Sequence, residues 1–234
     1  QYHGRNISKK LSLSNVRILN DYYSKYSLDK KILNLSSKTS TEQLLQSNLF
    51  KKVIIEVGFG DGEHLIESAL SNPKVLFVGS EVYVNGVAKV LKQILEKDIK
   101  NIRLCGMNFV YLLNILNQNS IDELKIINPD PWHKKRHFKR RLINLENIIK
   151  IIGIVKNKYA SYITTDSEIY FNYINEIFSS NSKIIHENKN KILSKNDRLY
   201  GVSRYQRKAI KNGKKIYQLT FWYHYTFRYL IYDN

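Results

Sequence analysis

Val53-Ile54-Ile55-Glu56-Val57-Gly58-Phe59-Gly60-Asp61-Gly62 reads as a strand that runs straight into a glycine turn. Four β-branched residues around Glu56, with no polar alternation, mark a strand buried on both faces. Glycines at the junction of a strand and a helix let a ligand approach the backbone at the helix N-terminus. Helical spacing follows at Leu65, Ile66, Ala69 and Leu70 and stops at Pro73. Outward from this unit the alternation repeats. Val75 to Val78, Ile102 to Met107, Leu124 to Ile127 and Ala160 to Thr164 read as strands. Helices are expected over Val87 to Leu95, Val110 to Leu116, Leu142 to Ile152 and Ile169 to Phe178, with an earlier one from Ser14 to Tyr26. Strands alternating with helices predict an α/β fold with a doubly wound, mostly parallel sheet. After a polar basic loop, the aromatic run from Ile216 to Phe227 is expected to add a last strand. No internal repeat and no clear linker interrupts the chain.

The chain has 234 residues and one cysteine, Cys105, which excludes an internal disulfide framework and a multi-cysteine zinc site. No apolar run approaches the ~20 residues that span a bilayer. Residues 1–10 are polar and no apolar signal segment follows, so a cytoplasmic protein is expected. Gln1 suggests that the true start is missing or processed. Net charge is +18, and it is unevenly spread. Arg5 to Lys38 carries eight basic and two acidic residues, whereas Val53 to Asp130 carries seven basic and ten acidic. Lys134 to Arg141 holds six Lys or Arg and no acid, and Lys183 to Lys215 holds eleven against two acids. A lysine-rich codon bias does not account for an acidic middle between basic segments. The pattern points to a surface for a polyanion.

The spacing in the glycine turn is G-x-G-x-G rather than the G-x-G-x-x-G of dinucleotide sites. Glu56, two residues ahead of Gly58, and Asp61 inside the turn suit a cationic methionine moiety. Gly58, Gly60 and Gly62 are therefore expected to cradle S-adenosylmethionine, while an NAD-dependent enzyme is disfavoured. Glu81, just beyond the second strand, is placed to accept from ribose hydroxyls. Asn108, beyond the third, is a candidate for the adenine edge. The segment Asn128-Pro129-Asp130-Pro131-Trp132-His133-Lys134-Lys135-Arg136-His137-Phe138-Lys139-Arg140-Arg141 falls beyond the fourth strand, where open α/β sheets bind ligands. Its prolines stiffen the turn, Asp130 sits at the reacting edge, and the cations from Lys134 onward face phosphates. His133 and His137 stand four apart, but no third ligand accompanies them, so no metal is expected.

Pro129-Asp130-Pro131-Trp132 followed by His133-Lys134-Lys135-Arg136-His137 resembles the signature of the bacterial tRNA (guanine-N7)-methyltransferases. The glycine turn, Gly79-Ser80-Glu81-Val82, Thr165-Asp166 and Ser203-Arg204-Tyr205-Gln206 fall where that family has its other motifs, the last matching T-x-[FY]-E. The resemblance extends from about Gly4 onward. It implies a Rossmann-like class I methyltransferase fold, with residues 1–50 as a basic extension whose short helix packs on the core and residues 51–234 as the methyltransferase domain. It implies that Glu56, Glu81, Asn108 and Asp130 contact S-adenosylmethionine, and that Lys134, Asp166, Ser203, Arg204, Tyr205 and Gln206 contact tRNA. The expected reaction is methylation of guanine N7 at position 46 of tRNA by a monomer in preference to a homodimer, with S-adenosylhomocysteine as the product. N7 needs no general base, so Asp130 and Asp166 are expected to stabilise the positive charge that appears on the ring. Asn108 replaces an Asp of the family and Gln206 replaces a Glu, which removes a charge at the position expected to read the guanine N1 and N2 hydrogens. A catalytically weakened RNA-binding protein that retains the fold is the alternative.

Overall fold

A computed structural model describes residues 10–34, 40–156, 161–180, 191–193, 210–213 and 215–221, with only the backbone of 191–193. Among these residues seven strands form one sheet: β1 (Lys52–Val57), β2 (Val75–Ser80), β3 (Ile102–Cys105), β4 (Glu123–Ile127), β5 (Ser161–Thr165), β6 (Lys191–Leu193) and β7 (Ile216–Phe221). Their order is β3-β2-β1-β4-β5-β7-β6. The five strands from β3 to β5 are parallel, and β7 runs antiparallel to both β5 and β6. The expected doubly wound, mostly parallel sheet with an antiparallel C-terminal strand is therefore present, and β6 adds a strand where a polar loop was expected.

The unbroken apolar runs are explained by cover on both faces. Val53, Ile55 and Val57 of β1 join a core with α6 (Phe109–Leu113), α7 (Leu145–Ile154) and α8 (Glu168–Ser180). Ile54 faces the other way, into a core with α4 (Glu63–Ser71) and α5 (Val84–Glu96). Ahead of the sheet come α1 (Leu13–Tyr26), α2 (Asp29–Leu33) and α3 (Thr41–Leu45), the last closed by a capping box between Ser40 and Gln43. Ile18, Leu19 and Tyr23 of α1 pack on the α4–α5 core. Asp29 accepts from the Tyr23 hydroxyl at 2.7 Å and from Gly106 N–H at 3.0 Å, which ties the first helices to the end of β3.

Several boundaries differ from expectation: α5 starts at Val84, β2 runs on to Ser80 and α6 stops at Leu113, and two more have a visible cause. β3 stops at Cys105 rather than Met107, where the Cys105 carbonyl accepts from Glu81 N–H and Asp29 takes the next amide. α7 begins at Leu145 rather than Leu142 because Asn144 caps it, accepting from Asn147 N–H, while Lys135–Arg140 forms a separate 3-10 turn. No helix among the described residues is long and apolar enough to cross a membrane.

Candidate functional site

Between β1 and β4 the sheet order reverses, and the loops beyond the carboxyl ends part there to leave a crevice. A cavity of about 290 Å³ occupies it, lined by Gly58, Ser80, Glu81, Val82, Asn108, Phe109, Asn128 and Asp130 among others. This is close to the lower bound of ~300 Å³ for small-molecule sites. Gly58 adopts φ +79°, and a Cβ there would lie 2.9 Å from the Ile127 carbonyl oxygen, so only glycine lets β1 and β4 close at this point. At Gly60 (φ +56°) a Cβ would meet nothing within 4 Å, so the backbone of the turn is open to an approaching group. Gly62 heads α4 in the same left-handed region.

Glu81 is the best-connected acid of the site. Its Oε2 accepts from Gly60 N–H at 2.9 Å, and its Oε1 accepts from Val82 and Tyr83 N–H at 2.8 and 2.9 Å. Burial pushes its carboxyl above the ordinary glutamate range, three backbone donors pull it back, and the nearby Asp130 charge raises it. Asp130 is exposed as a residue, yet desolvation of its carboxyl raises its pKa above the ordinary aspartate range as well. Asn108 caps α6, its Oδ1 accepting from Val110 N–H at 2.9 Å. That oxygen is committed to the helix, which leaves the Nδ2 hydrogens for a ligand.

Not every expected residue lines the cleft. Glu56 is 1% exposed and turned onto the α4 face of the sheet, with Oε2 2.5 Å from His64 Nδ1. Its Oε1 is sealed from solvent with no hydrogen-bond partner. Lys134 is exposed at the head of the 3-10 turn, and Asp166 follows β5. Ser203, Arg204, Tyr205 and Gln206 lie outside the described residues.

The loop after β4 is held by a residue that the sequence presents as one more cation. Arg141 is 3% exposed. Its Nε donates to the Pro131 carbonyl at 2.8 Å, and its guanidinium lies 3.6, 4.4 and 4.9 Å from the rings of Phe138, Tyr173 and Tyr170. Trp132 adopts φ +42°, meets His137 edge-on at 5.7 Å and carries Arg140 over its face at 5.2 Å. Lys135, Arg136 and Lys139 stay exposed. His64, Asn128 and Arg141 escaped individual notice as site residues. Their environment depends on strands and helices brought together, although the Asn128-Pro129 pair is a local turn signal. Among the described residues no group of three His, Cys, Asp or Glu side chains is arranged for a metal ion.

A strand order that reverses between β1 and β4, an antiparallel seventh strand and a glycine turn at the switch point define a class I methyltransferase fold. Solved structures agree. The 16S rRNA methyltransferase KamB superposes with TM-score 0.58 at 12% identity, covering 81% of this chain and 96% of that one. A 30S ribosomal A1408 methyltransferase from an uncultured bacterium gives TM-score 0.54 at 20% identity, covering 80% and 96%. A family described as "Putative methyltransferase" matches residues 50–219. The tRNA (guanine-N(7)-)-methyltransferase of Bartonella henselae is 32% identical over 223 residues, 94% of each chain, and that of Wolbachia pipientis is 33% identical over 182 residues, 77% of this chain and 78% of that one. The chain belongs to this methyltransferase family. A "Bifunctional methyltransferase" of Rickettsia felis is 36% identical over 212 residues, and the match covers 91% of this chain but 38% of that protein.

Proposed function

We propose that the protein transfers a methyl group from S-adenosylmethionine to N7 of guanine at position 46 of tRNA, releasing S-adenosylhomocysteine. The observation that carries this reading is the convergence of Gly58, Glu81, Asn108 and Asp130 on one cleft beside an exposed run of cations. The residues fit the cofactor. Two carboxylates at the cleft suit a cation and oppose a pyrophosphate, and the open backbone at Gly60 admits close approach. Gly58 and Gly60 would hold the methionine part, Glu81 the ribose and Asn108 the adenine. S-adenosylmethionine supplies an electrophilic methyl group on a sulfonium.

The protein's own work is positioning and electrostatics. Guanine N7 has a free lone pair at neutral pH, so no base has to remove a proton. Asp130 at the cleft and Asp166 beyond β5 stabilise the positive charge that grows on the guanine ring. Lys134 and the exposed Lys135, Arg136 and Lys139 hold backbone phosphates, while Trp132 offers a stacking face. The reading places the protein in the cytoplasm, as a monomer in preference to a homodimer. Radiolabelled methyl transfer to unmodified tRNA, with nucleoside analysis for 7-methylguanosine, tests it. Absence of labelled 7-methylguanosine would leave the RNA-binding alternative.

Glu81→Ala should weaken S-adenosylmethionine binding by tenfold or more, since a charge-assisted hydrogen bond contributes about 1.5–3 kcal/mol. Glu81 accepts fully only when ionised. In the unchanged protein, affinity should therefore fall as pH drops through its raised pKa, starting above the ordinary glutamate range. Glu81→Gln should flatten that dependence. Calorimetric titration across pH checks both, and equal affinities in wild type and Glu81→Ala would remove Glu81 from the site. For the nucleic acid, Lys135→Ala/Lys139→Ala should flatten the plot of log affinity for tRNA against log salt by about one to two units if both contact phosphate. An unchanged slope would move the tRNA off this loop.

A further inference from the structure

Among the described residues that line the cleft, Asn128 is the asparagine whose side chain does no local work. Asn101 donates to the carbonyls of Ala69, Asn72 and Val75, Asn108 caps α6, and Asn144 caps α7. Asn128 also forms part of the cleft wall, yet both Nδ2 and Oδ1 are shielded from solvent and have no hydrogen-bond partner. Its backbone is held on the sheet by donation from Asn128 N–H to the Thr164 carbonyl at 2.9 Å, in a left-handed conformation with φ +46°. An asparagine in that region usually earns its place by a side-chain bond to nearby backbone. Here there is none. A buried amide with neither atom paired is costly and uncommon, and at the wall of a cleft a turn of the side chain presents both atoms to a partner that enters the cleft.

We propose that the Asn128 amide positions the acceptor base, with Nδ2–H donating to O6 and Oδ1 accepting N1–H of the target guanine. This rests on the proposed function above. A planar amide presents a donor beside an acceptor, and the C6=O6/N1–H edge of guanine presents the reverse pair. Phosphate oxygens offer only acceptors and satisfy half of it. β4 adjoins β1 across the switch point, so Asn128 and Asp130 stand on the opposite side of Gly58 from Glu81 and Asn108. That side is the acceptor's. Reading O6 and N1–H leaves N7 free to react.

The test compares tRNA transcripts carrying guanine, inosine or 2-aminopurine at the methylated position. Inosine keeps O6 and N1–H without the N2 amine, whereas 2-aminopurine keeps N7 and the N2 amine without O6 or N1–H. The unchanged protein should methylate guanine and inosine at similar rates and 2-aminopurine more slowly. Asn128→Gly suits the left-handed backbone and deletes the amide. It should slow transfer to guanine and inosine by about tenfold to a hundredfold, the discrimination expected of a bidentate pair. Its rate on 2-aminopurine, its calorimetric S-adenosylmethionine affinity and its melting temperature should match the unchanged protein. Asn128→Asp, of the same shape, swaps the donor for an acceptor facing O6 and should show the same loss. Equal slowing on all three bases, or no slowing on guanine, overturns the role of Asn128 alone. Failure of the unchanged protein to methylate any transcript overturns the proposed function, and this inference with it.

Discussion

Arg141→Ala is expected to destabilise the protein by about 3 kcal/mol, the sum of a lost charged hydrogen bond and a desolvated cation–π contact, offset in part by relief of a buried charge. At roughly 2–4 °C per kcal/mol for a chain of this size, the melting temperature should fall by about 6–12 °C. The warrant is the burial of its guanidinium among Phe138, Tyr170 and Tyr173 and its bond to the Pro131 carbonyl. That bond pins the loop bearing Asp130, so methyl transfer should also fall. Arg141→Lys keeps the charge but not the planar fork, and should lie between the two. The salt dependence of tRNA affinity should be unchanged, in contrast to the exposed Lys135 and Lys139. Thermal melting and tRNA titration at several salt concentrations separate the cases. An unaltered melting temperature with a flatter slope would make Arg141 a phosphate contact after all.

Glu56→Ala should cost about 3–5 kcal/mol, the range for breaking a buried pair from one side. It leaves His64, 3% exposed, without its carboxylate. It also strips a charge from Lys125, which is 2% exposed, stands beside Glu56 in the β1–β4 register and has its pKa lowered by burial. Glu123, 3.7 Å from the ammonium, then remains to hold Lys125 charged. Glu56→Gln retains an acceptor for His64 Nδ1–H and should lose less. Urea unfolding gives the cost, and calorimetric titration of S-adenosylmethionine on the folded fraction shows whether the unpartnered Oε1 serves a ligand as well. Normal stability with weakened binding would identify Glu56 as a ligand contact and not a structural one.

Glu56 shows where sequence reading reached its limit. An acid two residues before a glycine turn is legible as a feature of the site, because turn and strand are local. The direction of its side chain is not, since it depends on α4 folding back to bring His64 against the sheet. Asn108 was placed correctly beyond β3, but its capping of α6 emerged only with the helix start. Arg141 was hidden by its neighbours. Six cations in eight positions look alike in a sequence, and only the packing of α8 beneath the loop separates one buried guanidinium from exposed lysines.

By itself, then, the order of residues determined the alternation of strand and helix, the glycine turn, the acid after β2 and the basic loop after β4. Each follows from local sterics and apolar periodicity over a few residues. The tertiary structure decided which strands are neighbours, and hence that Gly58, Glu81, Asn108, Asn128 and Asp130 share one cleft. It also decided which polar groups are withdrawn from water. Burial and pairing are set by contacts between segments far apart in the chain, such as Glu81 with Gly60 and Arg141 with Tyr170, and no local window contains both partners.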